Sequence, residues 1–185
     1  MLDKSISQKF KKLLKEPGFV FAYPTEAVFG LGGNPLDELA FERILRIKQR
    51  PSSQRFLLIA SSWEQVLSYI QLPPPHLLKP VQDSWPGPVT WVFKAAPHLP
   101  SWLKDENNTI AIRITAHPIA HALCEIAEHP LFSTSANIHG QPPCRTFEEV
   151  EARFNTHVDQ TIPGFVNMNQ KPSSIRDVES GKILR

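Results

Sequence analysis

The sequence predicts an α/β fold with a mixed β-sheet flanked by helices, in a single domain spanning residues 1–185. Short apolar runs of strand length alternate along the chain with apolar residues at helical spacing, which is typical of this class. Short hairpin-like pieces close the chain and favour a mixed sheet over a wholly parallel one. With 41% hydrophobic and 21% charged residues, a chain of 185 residues can bury one proper core.

Apolar residues at helical spacing, together with capping residues, predict the helices. Ile6, Phe10 and Leu13 share one helical face, and Gly18 lies just past the end of that helix. Ser61 and Glu64 have the spacing of a capping box. The expected helices cover residues 6–14, 37–47, 61–70 and 118–126, and another begins at Thr146. The proline-rich segment 72–76 is either a turn before a further helix, which we favour, or a polyproline recognition piece.

The strands are predicted from apolar runs and from alternation. Residues 109–115 form the clearest strand, because Ile110, Ile112 and Ile114 share one face while Arg113 lies on the other. Further strands are expected at 19–23, 56–60, 89–93 and 131–133, with weaker ones at 174–178 and 182–184.

Composition excludes several classes of protein. Two cysteines cannot supply a disulfide framework or a four-ligand metal site. The longest apolar runs are far shorter than the roughly 18 to 20 residues of a membrane span, and the first residues lack the apolar stretch of a secretory signal. A net charge of +2 is a weak electrostatic footprint for nucleic acid. We therefore expect a cytoplasmic protein that does not interact with membranes.

Two of the predicted connections contain residues suited to a binding site. Residues 23–33 place Thr25, Glu26 and several glycines directly after a strand, either as a tight turn or as part of a site. Their pattern matches neither the Walker A phosphate loop nor the dinucleotide fingerprint. Lys48 and Arg50 follow a helix, where cations either cap a solvated helix end or bind a polyphosphate.

Two further connections and one strand residue are also candidates. Thr90 begins a strand after a rigid turn and is expected to present its hydroxyl, although an ordinary turn has the same composition. Residues 133–140 place small polar side chains after a buried strand, where they either bind a nucleotide or form a plain loop. Arg113 lies among isoleucines and needs a partner, either a carboxylate or a bound anion, and we favour the anion.

The candidate segments occur in a specific order. They are YPTEAVFGLG at 23–32, KQRP at 48–51, WPGPVT at 85–90, AIRIT at 111–115, STSAN at 133–137 and PSSIRD at 172–177. In this order they resemble the threonylcarbamoyl-AMP synthases of the YrdC/TsaC type, in their short bacterial form. Each motif is short, but the resemblance covers nearly the whole chain.

The resemblance implies an open, twisted mixed α/β sheet with a large basic concave cavity. It implies a nucleotidyltransferase that joins L-threonine, bicarbonate or CO2, and ATP into L-threonylcarbamoyl-AMP and releases pyrophosphate. Mg²⁺ is expected to arrive with ATP, without a dedicated metal site in the protein. The product would serve the threonylcarbamoyl modification of adenosine 37 in tRNAs reading ANN codons, performed with partner proteins. Whether tRNA touches this chain directly stays open.

The resemblance, together with the residues and the charges of the implied reactants, leads to the following site residues. Lys48, Arg50 and Arg113 are expected to be catalytic, because they would neutralise reactants that repel one another. We expect Lys48 and Arg50 to be exposed to the cavity. The expected ATP-binding residues are Lys48, Arg50, Ser135, Asn137 and Arg185. The expected threonine-binding residues are Thr25, Thr90, Ser135 and Ser173.

Two positions depart from longer relatives. Ala27 stands where many of them have a second threonine, so one hydroxyl contact to the amino acid is absent. Gln54 stands where a lysine is common, and whether the adjacent Arg55 replaces that lysine is left open by the sequence.

Two rival functions remain at this point. One is a non-catalytic module that binds structured RNA in the same basic cavity. The other is a different ATP-dependent enzyme, such as a carbamoyl-transfer domain that shares this cavity.

Overall fold

The computed structural model describes residues 2–51 and 55–184 and places their strands in one eight-stranded sheet. The helices are α1 (Lys4–Leu13), α2 (Glu38–Lys48), α3 (Trp63–Leu67), α4 (Pro75–Ser84), α5 (Pro118–Ala127) and α6 (Phe147–Phe154). The strands are β1 (Phe21–Pro24), β2 (Phe29–Gly32), β3 (Leu57–Ala60), β4 (Val89–Lys94), β5 (Thr109–Ile114), β6 (Leu131–Ser135), β7 (Gln160–Thr161) and β8 (Ser174–Asp177). A short 3₁₀ turn covers Ser101–Leu103.

The sheet is mixed, as the sequence predicts. Its strand order is β7-β1-β2-β6-β3-β5-β4-β8. The pairs β1–β7, β3–β5 and β4–β8 are parallel, and the other neighbours are antiparallel. Among the described helices, none has the length and apolar character needed to cross a membrane.

The main departure from the sequence prediction is a β-hairpin at residues 21–32. We expected residues 24–33 to form a loop, but β2 pairs with β1 in antiparallel register, with Phe21 opposite Gly32 and Tyr23 opposite Gly30. Glycine lowers strand propensity and so concealed this strand. A Cβ at Gly32 would lie 2.6 Å from Cζ of Phe21, so the missing side chain makes room for the aromatic ring.

Smaller departures occur at element ends. The predicted capping box is wrong by one residue, because Ser62 rather than Ser61 is the N-cap, and α3 ends at Leu67 rather than near residue 70. The two-residue strand β7 was not predicted. In the expected last strand, Ile183 makes only an isolated bridge to Arg176. The prolines of segment 72–76 precede and open α4, which confirms the turn-and-helix interpretation.

The core lies on both faces of the sheet, and its distribution creates the site. Helices α1 and α5 cover one face, where Phe10, Phe21, Ile59 and Leu123 pack together. Direct register pairing places Ile59 opposite Arg113, so Arg113 leaves the sheet on this same face.

Beyond β3, the same face continues across β5, β4 and β8. Val92 pairs with Ala111 on β5 and with Asp177 on β8, so these residues also share that face. All three line an open cavity. The α1–α5 layer thus packs over β1 and β3, and the surface beside it remains available to a ligand.

Candidate active site

The cavity on this open face has a volume of about 750 Å³. Its walls come from the β1–β2 turn, the segment after α2, strands β4, β5, β6 and β8, and the segment before β8. The cationic lining residues in the described part of the chain are Arg50, Arg55, Lys94, Arg113 and Lys171, and the acidic ones are Glu26, Asp105 and Asp177. Distant stretches of sequence therefore place charged side chains around one hollow.

Arg113 has a carboxylate partner. Its Nη1 lies 2.7 Å from Oε2 of Glu26, and both side chains are largely buried. The other oxygen of Glu26 accepts hydrogen bonds from Thr115 Oγ1 (2.8 Å) and from the Ala116 amide (3.2 Å). The carboxylate partner, which the sequence interpretation ranked behind a bound anion, is therefore present. That Arg113 also binds an anion stays a prediction. Arg113 still lines the cavity, so the ion pair holds its guanidinium at the cavity wall.

The ionised form of Glu26 is stabilised. Burial alone would raise the pKa of its carboxyl, but the charge of Arg113 and the Thr115 hydroxyl outweigh it and hold the pKa below its usual range. The sequence pattern identified Glu26 beside Thr25 but assigned it no role. Its missed partner, Thr115, follows Arg113 by two residues, and this spacing on one strand face was the available signal.

Thr25 and Ser135, two residues of the cavity lining, each donate their hydroxyl proton to an acceptor within the protein. Thr25 Oγ1 donates to the carbonyl of Val28 at 2.6 Å, and Ser135 Oγ donates to Oδ1 of Asn137 at 2.6 Å. Both residues line the cavity. Each oxygen is therefore available to a ligand as an acceptor, which suits an ammonium or hydroxyl group better than a phosphate.

Thr90 does not present its hydroxyl to the cavity as expected. It is fully buried, and its Oγ1 lies 3.0 Å from Oγ of Ser173, which does line the cavity. The parallel pairing of β4 with β8 brings these two segments together, with Val89 opposite Ser174. Thr90 thus supports Ser173 from behind, a relationship that only the strand order reveals.

Among the predicted site residues, Lys48 departs most from the expected exposure. We expected it to be exposed to the cavity, but its side chain is 2% exposed and does not line it. Its Nζ donates to the carbonyls of Ser135 and Asn137 and to Oδ1 of Asn137, the last two at 3.0 and 2.8 Å. Burial and the charge of Arg50 lower the pKa of Lys48 to about 7. The exposure of Lys48 was mispredicted because a distant part of the chain, the 133–140 segment, folds over the end of α2.

The remaining expected residues divide into three groups. Arg50 lines the cavity as predicted, whereas Asn137 does not, because its side chain bonds Lys48, Ser135 and nearby carbonyls. Arg55 lines the cavity and donates from Nε to the Lys104 carbonyl at 2.8 Å. Arg185 and Gln54 lie outside the described residues.

Sequence reasoning also missed Lys94 and Lys171 as cavity cations. Lys94 shares a face of β4 with Val92, two residues earlier, so period-2 alternation on a strand was its signal. Lys171 precedes the predicted segment 172–177 and had no local pattern to reveal it.

The fold and this site define a class: a mixed α/β protein with an open cavity on the uncovered part of one sheet face, lined by several cations. A family model, Sua5/YciO/YrdC, described as "Telomere recombination", matches residues 13–185. The chain belongs to this family.

Curated relatives named threonylcarbamoyl-AMP synthase match nearly the full length. The protein of Coxiella burnetii (strain RSA 331 / Henzerling II) is 44% identical over 174 residues, which cover 94% of this chain and 93% of the relative. That of Vibrio campbellii (strain ATCC BAA-1116) is 42% identical over 183 residues, which cover 96% of this chain and 98% of the relative.

Solved structures show the same fold. Sua5 of P. abyssi, complexed with L-threonine, superposes with a TM-score of 0.91 at 30% identity and covers all of this chain, which spans 55% of that Sua5 chain. YciO of E. coli superposes with a TM-score of 0.85 at 28% identity, covering 98% of this chain and 88% of the other. The expected open mixed sheet is thereby confirmed.

Proposed function

We propose that this protein is a threonylcarbamoyl-AMP synthase, a nucleotidyltransferase that makes L-threonylcarbamoyl-AMP and pyrophosphate from L-threonine, bicarbonate or CO2, and ATP. Relatives of that name match more than nine tenths of the chain at 42–44% identity. A structural neighbour holds L-threonine. The observation that carries the proposal is convergence: Thr25, Arg50, Arg113, Ser135 and Ser173 come from separate segments and line one cavity.

The reaction has two bond-forming steps. The neutral amine of threonine attacks CO2, forms a carbon–nitrogen bond and loses a proton, which gives a carbamate. A carbamate oxygen then attacks the α-phosphorus of ATP, the bond to the bridging oxygen breaks, and pyrophosphate leaves. No enzyme nucleophile is needed, so the protein contributes positioning and electrostatics.

The lining residues suit these requirements. Arg113, which is ion-paired with Glu26, would bind the threonine carboxylate, and the oxygens of Thr25 and Ser135 would accept hydrogen bonds from the threonine amine or hydroxyl. Arg50, Lys94 and Lys171 offer positive charge to the triphosphate. Together these cations would lower the repulsion between carbamate and phosphate, which opposes the second step.

Mg²⁺ is proposed as part of the nucleotide substrate. Within residues 2–51 and 55–184 there is no group of three or more metal-ligating side chains. Of the lining carboxylates, Asp105 and Asp177 accept hydrogen bonds from their own turns. The ion would therefore be held mainly by phosphates and water, which agrees with the reluctance of Mg²⁺ to dehydrate.

The product is proposed to serve modification of adenosine 37 in tRNAs reading ANN codons. A mixed anhydride of a carbamate and AMP is an activated donor, so its consumer must transfer the threonylcarbamoyl group to a nucleophile. Partner proteins would perform that transfer in the cytoplasm, and we assign no tRNA contact to this chain.

The test is pyrophosphate release. The protein is incubated with ATP, Mg²⁺, bicarbonate and single amino acids, and we expect release that requires both threonine and bicarbonate. Omission of either substrate is the control. Release without threonine would indicate a different ATP-dependent enzyme, and tRNA binding without any release would support the non-catalytic RNA module instead.

A further inference from the structure

We propose that Lys48 is a positioning residue that sets the hydrogen-bond polarity of Ser135 toward the ligand, without touching the ligand itself. Its ammonium lies behind the Ser135–Asn137 turn, and its side chain does not line the cavity. The inference rests on the proposed function for its kinetic consequences. The hydrogen-bond arrangement of Lys48, Asn137 and Ser135 is a property of the ligand-free protein and does not depend on that function.

Lys48 holds the turn with both its main chain and its side chain. It is the last residue of α2, and its carbonyl accepts a hydrogen bond from the His139 amide at 2.8 Å. Its Nζ has three oxygen acceptors, two carbonyls and one side-chain amide, all contributed by Ser135 and Asn137. An ammonium has three protons and no lone pair, so these acceptors match its capacity.

The side-chain amide of Asn137 connects Lys48 to Ser135. Oδ1 of Asn137 accepts from Lys48 Nζ at 2.8 Å and from Ser135 Oγ at 2.6 Å. Nδ2 of Asn137 donates to the carbonyl of Gln141 at 2.7 Å. In its ammonium form Lys48 has no lone pair and cannot accept from an amide N–H, so this form fixes which end of the amide points toward Ser135.

This orientation decides how Ser135 can meet a ligand. With Oδ1 beside it, the Ser135 hydroxyl donates to Asn137, so Ser135 Oγ can meet a ligand in the cavity only as an acceptor. If the amide turned over, Nδ2 would donate to Ser135 Oγ, and the hydroxyl proton would point outward. Lys48 therefore makes Ser135 an acceptor, which favours a ligand N–H or O–H over a phosphate oxygen.

The first experiment is a double-mutant cycle of Lys48→Met and Ser135→Ala in the pyrophosphate assay. We expect Lys48→Met to raise the KM for threonine by about 10- to 100-fold, the value of a hydrogen bond to a charged ligand group. We expect kcat to change much less. In the Ser135→Ala background, Lys48→Met should add little, because both changes remove the same contact. Multiplicative effects would show an independent contact of Lys48 with a substrate and would overturn the inference.

A matched control and a second variant distinguish the proposed role of Lys48 from a general loss of folding. Lys79→Met removes an exposed lysine paired with Asp83 and should leave both constants unchanged. Asn137→Ala removes the connection from its other side and should reproduce the KM effect while Lys48 stays in place. If Asn137→Ala left the KM for threonine unchanged, the inference would fail even where Lys48→Met does not fold.

Amide hydrogen exchange in the ligand-free protein tests the same idea without catalysis. We expect faster exchange at the His139 and Gln141 amides in Lys48→Met and Asn137→Ala, with unchanged exchange in the β3–β5 pair. Unchanged exchange at the turn would overturn the inference. If the wild-type protein releases no pyrophosphate, the proposed function fails, and the exchange result still decides the role of Lys48.

Discussion

Ile59 and Arg113 are register partners in the parallel strands β3 and β5, so their side chains leave the same face of the sheet. Ile59 packs in the core with residues of α1 and α5, whereas Arg113 lines the cavity. The boundary between core and site therefore runs between two paired residues. Glu26, from the β1–β2 turn, supplies the counter-charge that allows an arginine to lie there.

Glu26→Gln should destabilise the protein, because it leaves Arg113 largely buried without a counter-charge. Loss of one partner of a buried ion pair costs about 3 to 5 kcal/mol, and the lower end applies here because the cavity admits water. The measurement is the free energy of unfolding in urea. The matched control is Asp83→Asn, which breaks an exposed pair with Lys79 and should cost less than about 1 kcal/mol. Equal losses in both variants would contradict the buried pair's importance.

Stability should rise between about pH 7 and pH 10 through Lys48. Its pKa is about 7 in the folded protein and about 10.4 in the unfolded chain. The unfolded state therefore binds more protons in this window, and the free energy of unfolding increases with pH by up to about 1.4 kcal/mol per unit. Urea unfolding at several pH values checks this. Lys48→Met removes the titrating group and should flatten the slope, and parallel slopes for the two proteins would show that the prediction is wrong.

Thr90→Val should weaken threonine binding without a direct contact to the ligand. Valine has a similar shape but lacks the hydroxyl that bonds Ser173. Loss of one neutral hydrogen bond costs about 1 kcal/mol, so we expect the KM for threonine to rise about 5-fold. Thr90→Ser retains the hydroxyl and is the control. If serine weakens binding as much as valine, packing of the methyl group rather than the hydrogen bond supports Ser173.

The sequence predicted the strands that carry branched apolar residues, because alternation and side-chain type are local properties. Residues 109–115 are the best example, because the isoleucines at every second position from Ile110 predicted β5 almost to its ends. Strand β2 escaped prediction because Gly30 and Gly32 have weak strand propensity. Its stability comes from its neighbours β1 and β6, which no local pattern reveals.

The order of the motifs predicted which residues from distant segments lie together in one site. Thr25, Arg50, Arg113, Ser135 and Ser173 do line one cavity. Whether a polar side chain faces the cavity or lies behind it depends on contacts between distant segments. Lys48 is covered by the 133–140 segment and Thr90 lies behind Ser173, so neither orientation could be read from local sequence.

Gly32→Ala should destabilise the hairpin more than Gly30→Ala. An added Cβ at Gly32 would lie 2.6 Å from Phe21 Cζ and 2.9 Å from Tyr23 Cε1, whereas at Gly30 the nearest atoms of Tyr23 are 3.3 Å away. Overpacking of this kind costs about 1 to 3 kcal/mol. Urea unfolding of the two variants gives the comparison. Equal losses would mean that the aromatic rings shift freely and that glycine is not required at Gly32.

Arg50→Ala should weaken ATP binding while the fold stays intact. Arg50 follows α2, lies at the cavity wall and is only partly buried, so its loss leaves no buried cavity behind. Hydrogen bonds between charged groups contribute about 1.5 to 3 kcal/mol, which corresponds to a rise of about 10- to 100-fold in the KM for ATP. Arg46→Ala is the matched control, because Arg46 is exposed on the same helix and does not line the cavity. Steady-state kinetics with varied ATP, together with the midpoint of urea unfolding, separates the two roles. If Arg50→Ala lowers the midpoint as strongly as it weakens ATP binding, then Arg50 holds the end of α2 in place, and the phosphates must be bound by the cations on β4 and before β8.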